Sequence, residues 1–152
     1  MQSASGRRRV VVTGMGAITN LGHDAASTWS AMREGRSGIS VIQGEEFEKY
    51  NDKWKVRIAG QVKDWAPGAW IDAHQARRVD RFSLLGMGAA VEAVKHSGVD
   101  FAKEDPERCG VVVGSGVGGI ITIEEGVLVM RDKGPHRLSP MTVPKLMVNA
   151  CT

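Results

Sequence analysis

Twice along this chain an apolar, β-branched run gives way to closely spaced glycines and then to a helical stretch. The first instance is Val10-Val11-Val12-Thr13-Gly14-Met15-Gly16, continuing through Ala17-Ile18-Thr19-Asn20-Leu21-Gly22 to a helix near His23-Asp24. The second is Cys109-Gly110-Val111-Val112-Val113, entering Gly114-Ser115-Gly116-Val117-Gly118-Gly119 and then a helix over about Ile120 to Arg131. Consecutive valines are apolar on both faces, as a strand covered on two sides must be. The glycines permit a tight turn and a close backbone approach. A repeated strand, turn and helix restricts the chain to an α/β architecture, with right-handed crossovers if the strands are parallel neighbours.

The remaining elements follow from caps and spacing. Asp24 can cap a helix Ala25–Glu34 whose Trp29 and Met32 supply an apolar stripe, with Gly35 as its stop. Between Arg36 and Gly68 periodicity fades, which reads as a surface excursion with one short alternating strand, Lys55 to Ala59. Asp72 starts a basic helical stretch, Ala73-His74-Gln75-Ala76-Arg77-Arg78, ahead of a second helix from about Val79 to His96. In that helix Leu84, Met87, Val91 and Val94 keep helical spacing, while Gly86, Gly88, Ala89, Ala90 and Ala93 make the other faces small. Such a helix is packed on several sides in a larger body. Gly98 ends it, Asp105-Pro106 marks the next turn, and Pro135, Pro140 and Pro144 punctuate the approach to a final helix from Pro144 onward.

At 152 residues with no low-complexity linker, residues 1–152 read as one unit. The net charge of +3 is mild and the basic residues are dispersed apart from Arg7-Arg8-Arg9, so nucleic acid is not an expected partner. No apolar run approaches the roughly 20 residues that span a bilayer, and no apolar secretory core follows the arginines, so a cytoplasmic protein without membrane association is expected. Cys109 and Cys151 lack a CxxC spacing or a neighbouring histidine pair, which leaves them as reduced thiols with no metal site.

Gly114, Gly116 and Gly119 satisfy GxGxxG, the pattern in which backbone amides and a helix N-terminus hold a pyrophosphate. A dinucleotide unit should continue into another apolar strand ending in an acid about 20 residues on. Here Arg131-Asp132-Lys133-Gly134-Pro135-His136-Arg137-Leu138-Ser139-Pro140 follows instead, which argues against it.

The string from Val10 to Gly22 resembles the opening of a β-ketoacyl-acyl carrier protein synthase. Val112 to Gly119 is similar to the second glycine turn of the elongating, KAS II-like ketosynthases, and the resemblance runs from Arg8 to Ala150. It implies a thiolase-like α/β fold, of which residues 1–152 are the incomplete N-terminal half and the C-terminal half is absent. The implied reaction, in fatty-acid or polyketide synthesis, is decarboxylative Claisen condensation of an acyl thioester with malonyl-acyl carrier protein. That reaction needs no metal or bound organic cofactor, and the complete family enzyme is a homodimer.

The resemblance also assigns roles. Val117 matches a residue lining the acyl pocket, where a valine between small glycines suits a methylene chain. Leu138 to Ala150 resembles the segment at the dimer interface that closes the partner's acyl pocket; Met141 stands where the family often has an aromatic. Arg77 and Arg78, by the following Val79-Asp80-Arg81-Phe82, match a basic patch that docks the acidic acyl carrier protein, and His136 and Arg137 match a second spot of that surface. No catalytic residue is assigned. Asn149-Ala150-Cys151-Thr152 echoes the family's nucleophile site, but it follows Pro144 to Ala150 directly, and Cys151 is not placed at a helix N-terminus, where the dipole would lower its pKa. His23, His74, His96 and His136 match none of the family's catalytic histidines. The chain as given is therefore expected to lack activity. A non-catalytic, carrier-binding ketosynthase-like subunit is the competing reading, and a nucleotide-binding α/β domain the second.

Overall fold

A computed structural model describes residues 8–49, 52–68 and 70–151. In chain order its elements are α1 (Ala25–Arg33), β1 (Ser40–Val41), α2 (Glu45–Lys49), β2 (Ile58–Ala59), α3 (Ala73–Ala76), α4 (Arg81–Ser97), α5 (Ile120–Lys133) and α6 (Thr142–Leu146). Single 3-10 turns occupy Phe101–Lys103, Pro106–Arg108 and Pro135–Arg137.

The helix ends obey local chemistry. Asp24 accepts the Ser27 amide at 2.6 Å to start α1, and Asp72 accepts the amides of His74 and Gln75, both at 2.8 Å, to start α3. α4 closes at Gly98 in the left-handed region, φ 65°. Its start is two residues later than the spacing suggested, because Asp80 serves as its N-cap.

The 17-residue α4 is the element on which distant segments meet. Gly14 and Gly16 lie so close to it that a Cβ at either would overlap a helix carbonyl, that of Ala93 or of Ala89. Gly88 admits Trp65 and Trp70, whose Cζ2 atoms lie 3.0 and 3.5 Å from where its Cβ would stand. Gly86 similarly leaves room for the Cys151 Sγ at 3.7 Å. The small residues thus let backbone and indole rings approach the helix axis, as their pattern suggested. Glu92, the one acid of the helix, is half-buried and accepts two amides, Ala17 at 2.8 Å and Ala25 at 2.8 Å. It holds the end of the first glycine turn and the start of α1 with one carboxylate.

Three expectations are corrected. The two valine runs form no strand: among the described residues the only ladder joins β1 to β2, antiparallel, with Ser40 opposite Ala59 and Val41 opposite Ile58. Val10 and Val112 are 91% and 99% exposed, because no neighbouring strand supplies partners or covers their faces. Trp29 and Met32 face outward on α1, whose buried residues are Thr28 and Ala31; the Thr28 hydroxyl meets that of Thr19 at 3.1 Å. The side that docks is the small and hydroxylated one. Finally, the last helix spans only Thr142–Leu146, beginning before Pro144 and stopping where Met147 turns to an extended conformation.

Buried positions are correspondingly few. Among the described residues Ala31 is the buried hydrophobic one, and Thr28, Asp80, Ser83 and Thr122 are buried polar ones. The Ser83 hydroxyl has no hydrogen-bond partner among the described residues.

Candidate functional site

The second glycine turn, the start of α5 and the end of α6 are built around one carboxylate. Gly119, at the N-cap of α5, has no side chain to cap it. Its amide donates instead to the Leu146 carbonyl at 3.0 Å, and the Gly118 amide donates to the Ser115 hydroxyl at 3.0 Å. Asp80, 42 residues upstream of Thr122, fills the place of a cap: its Oδ2 accepts the Thr122 amide at 3.0 Å and the Thr122 hydroxyl at 2.6 Å. A negative group at a helix N-terminus is favoured by the orphan amides and the helix dipole.

That arrangement closes the dinucleotide reading. The anion position of α5 is taken by a buried protein carboxylate, and the turn's amides at Gly118 and Gly119 already have protein acceptors. A pyrophosphate would have to displace all of them.

The residues singled out from the sequence fall on both sides of this seam. Val117 is 58% exposed at the outer edge of the turn, one residue before buried Gly118. Met141, 37% exposed, precedes α6 and donates its amide to the Ser139 hydroxyl at 3.1 Å. The Gly119–Leu146 bond ties the turn carrying Val117 to the segment carrying Met141.

Arg77 and Arg78 are exposed between α3 and α4, just before Asp80, and Arg137 is exposed on the 3-10 turn after α5. Arg137, Thr122, Gly126, Leu138 and Lys145 are among the residues lining a cavity of about 160 Å³. Arg78 lies two residues before Asp80 in the chain, and Arg137 lines the same cavity as Thr122. Among the described residues Arg77, Arg78 and Arg137 enter no ion pair. Their neighbours differ: Arg81 donates to the Val62 carbonyl at 2.9 Å, and Arg131 pairs with Asp132 at 2.7 Å.

Cys109 is exposed after a 3-10 turn, and Cys151 is half-buried after α6; neither begins a described helix. Asp80, Thr122 and Glu92 were not singled out by sequence reasoning. The available signals were an aspartate immediately before a helix and a lone acid among small apolar residues.

Comparison with known proteins adds independent findings. The family model described as "Beta-ketoacyl synthase, N-terminal domain" matches residues 7–152. The "3-oxoacyl-[acyl-carrier-protein] synthase 2" of Vibrio harveyi is 41% identical over 143 residues, covering 94% of this chain and 34% of that protein. Among solved structures, "AntDE:AntF (apo): type II PKS acyl-carrier protein in complex with its ketosynthase bound to the hexaketide" superposes with a TM-score of 0.73 at 28% identity, over 95% of this chain and 37% of that one. "The ishigamide ketosynthase/chain length factor" gives a TM-score of 0.76 at 25% identity, over 96% and 36%. The chain spans about a third of the length of the curated relatives it matches, and its fold is the N-terminal part of the thiolase-like fold of these ketosynthases.

Proposed function

We propose, from the premise that this chain belongs to the β-ketoacyl synthase family, that it supplies the carrier-docking surface and one wall of the acyl pocket for chain elongation. The reaction is decarboxylative Claisen condensation: a carbon–carbon bond forms between the acyl carbonyl carbon and the malonyl α-carbon, the thioester sulfur leaves, and the malonyl carboxylate departs as carbon dioxide. The match to the Vibrio harveyi 3-oxoacyl synthase across 94% of the chain is the observation that carries this reading.

Within it, Val117 forms pocket wall, and Met141 closes the pocket of the partner subunit in a homodimer. Arg77, Arg78 and Arg137 receive the acidic acyl carrier protein, and the setting is cytoplasmic. Neither metal nor bound organic cofactor is required. Condensation calls for a thiolate, groups that stabilise charge as carbon dioxide leaves, and amide donors to the oxyanion.

Unpaired, exposed arginines raise an association rate more than they deepen affinity. Arg77→Glu combined with Arg137→Glu should slow carrier-protein association roughly 10-fold at low ionic strength. The difference should fade at 1 M salt, where the Debye length is about 3 Å. Surface plasmon resonance with immobilised carrier protein reads both quantities; an unchanged association rate at low salt refutes the docking assignment.

A further inference from the structure

We propose that Asp80 is a positioning residue that couples carrier docking to the acyl-pocket turn, so that acyl-chain length is read in register with a docked carrier. The inference rests on the functional reading above and names how two of its parts communicate.

The orientation of the carboxylate is the first observation. A residue serving only as the cap of its own helix should bond that helix well, as Asp24 does at 2.6 Å. Asp80 reaches its own helix poorly, accepting the Phe82 amide at 3.4 Å, and bonds Thr122 on α5 at 3.0 and 2.6 Å. It is turned toward the other helix.

Tightness is the second. Asp80 is only 4% exposed, so water does not readily replace either bond to Thr122. A Cβ on Gly119 would stand 3.0 Å from the Asp80 Oδ2 and 2.8 Å from the Lys145 carbonyl oxygen and the Leu146 Cα. Gly119 is therefore packed closely between the Asp80 carboxylate and the end of α6.

Placement is the third. Arg78 lies two residues before Asp80, and Val117 lies two residues before Gly119. A displacement of the α3–α4 junction by a docked carrier passes through the Asp80–Thr122 bonds to the Val117 turn. Arg137, at the other basic spot, lines the same cavity as Thr122.

The test compares binding of unacylated, hexanoyl and palmitoyl acyl carrier protein to the chain by isothermal titration calorimetry. Asp80→Asn keeps the shape but removes the charge and leaves one amide oxygen to accept both Thr122 donors, with its NH2 turned against the Phe82 amide; Thr122→Val removes the hydroxyl donor and keeps the backbone bond; Thr122→Ser keeps both donors. If coupling exists, Asp80→Asn and Thr122→Val reduce the affinity ratio between the two acylated carriers roughly 5-fold or more. Binding of unacylated carrier holds, and Thr122→Ser restores the ratio. An unchanged ratio in either folded variant, or an equal loss for all three carriers, overturns the proposal and leaves Asp80 as a structural tie. If Asp80→Asn does not fold, the ratio measured for Thr122→Val decides between coupling and a structural tie. Failure of the unsubstituted chain to bind unacylated carrier is a different result, which removes the docking reading and the coupling with it.

Discussion

The two glycine turns share a sequence pattern and have opposite surroundings. At the first, Gly14 and Gly16 are pressed against α4, and any side chain would collide with its backbone. At the second, Gly114 and Gly116 have nothing within 4 Å of where a Cβ would stand, and only Gly118 and Gly119 are packed. The helices that follow differ in the same sense: α1 is capped by its own Asp24, whereas α5 borrows Asp80 from another part of the chain. Glycine at the first turn brings two elements into contact. At the second, Gly114 and Gly116 leave open space on the near side of Val117.

Substitution at the first turn should produce the largest effect. Gly16→Ala sets a methyl against the Ala89 carbonyl, a backbone group that cannot rotate away. Overpacking of this kind should cost about 3 kcal/mol, read as a lower urea midpoint; a loss below about 1 kcal/mol would show that the segment can lift off α4 and would dissolve the contrast.

The cap comes next. Asp24→Ala should cost about 1 kcal/mol, the usual loss when an N-cap is removed. The Ser27 amide and then its hydroxyl hold the Asp24 carboxyl below its ordinary value of 3.8. Because the folded pKa is the lower one, the stabilisation is present above 3.8 and disappears as pH falls through the folded value. The stability gap between wild type and Asp24→Ala should thus be full at neutral pH and shrink below that point. A gap independent of pH would mean that the carboxylate charge does no capping.

The smallest effect sharpens the other half of the comparison. Gly116→Ala should change stability by no more than about 0.5 kcal/mol, since the added methyl enters open space. A large loss in the same denaturation experiment would place a hidden packing role at the second turn.

Local chemistry made much of this fold legible. Asp24 before Ala25, the small residues of α4 and Gly98 at its end each announce their element within a few positions. The valine runs announced strands, but strand formation is a property of two segments, and these have no partner among the described residues. Trp29 and Met32 have the hydrophobicity of a docking stripe, but the contact at α1 is governed by size and depends on Thr28 and Ala31 fitting closely. In the candidate site, Val117, Met141 and the arginines stood out through resemblance. The Asp80–Thr122 contact did not, since periodicity carries no information across 42 residues.

Glu92 has a consequence in time. Its two acceptor oxygens answer amides made 75 and 67 residues earlier, those of Ala17 and Ala25. A chain emerging from the ribosome N-terminus first presents those amides with no Glu92 to receive them, and closing so long a loop carries an entropy that local contacts do not. The segment made first is completed at this joint only after α4 exists.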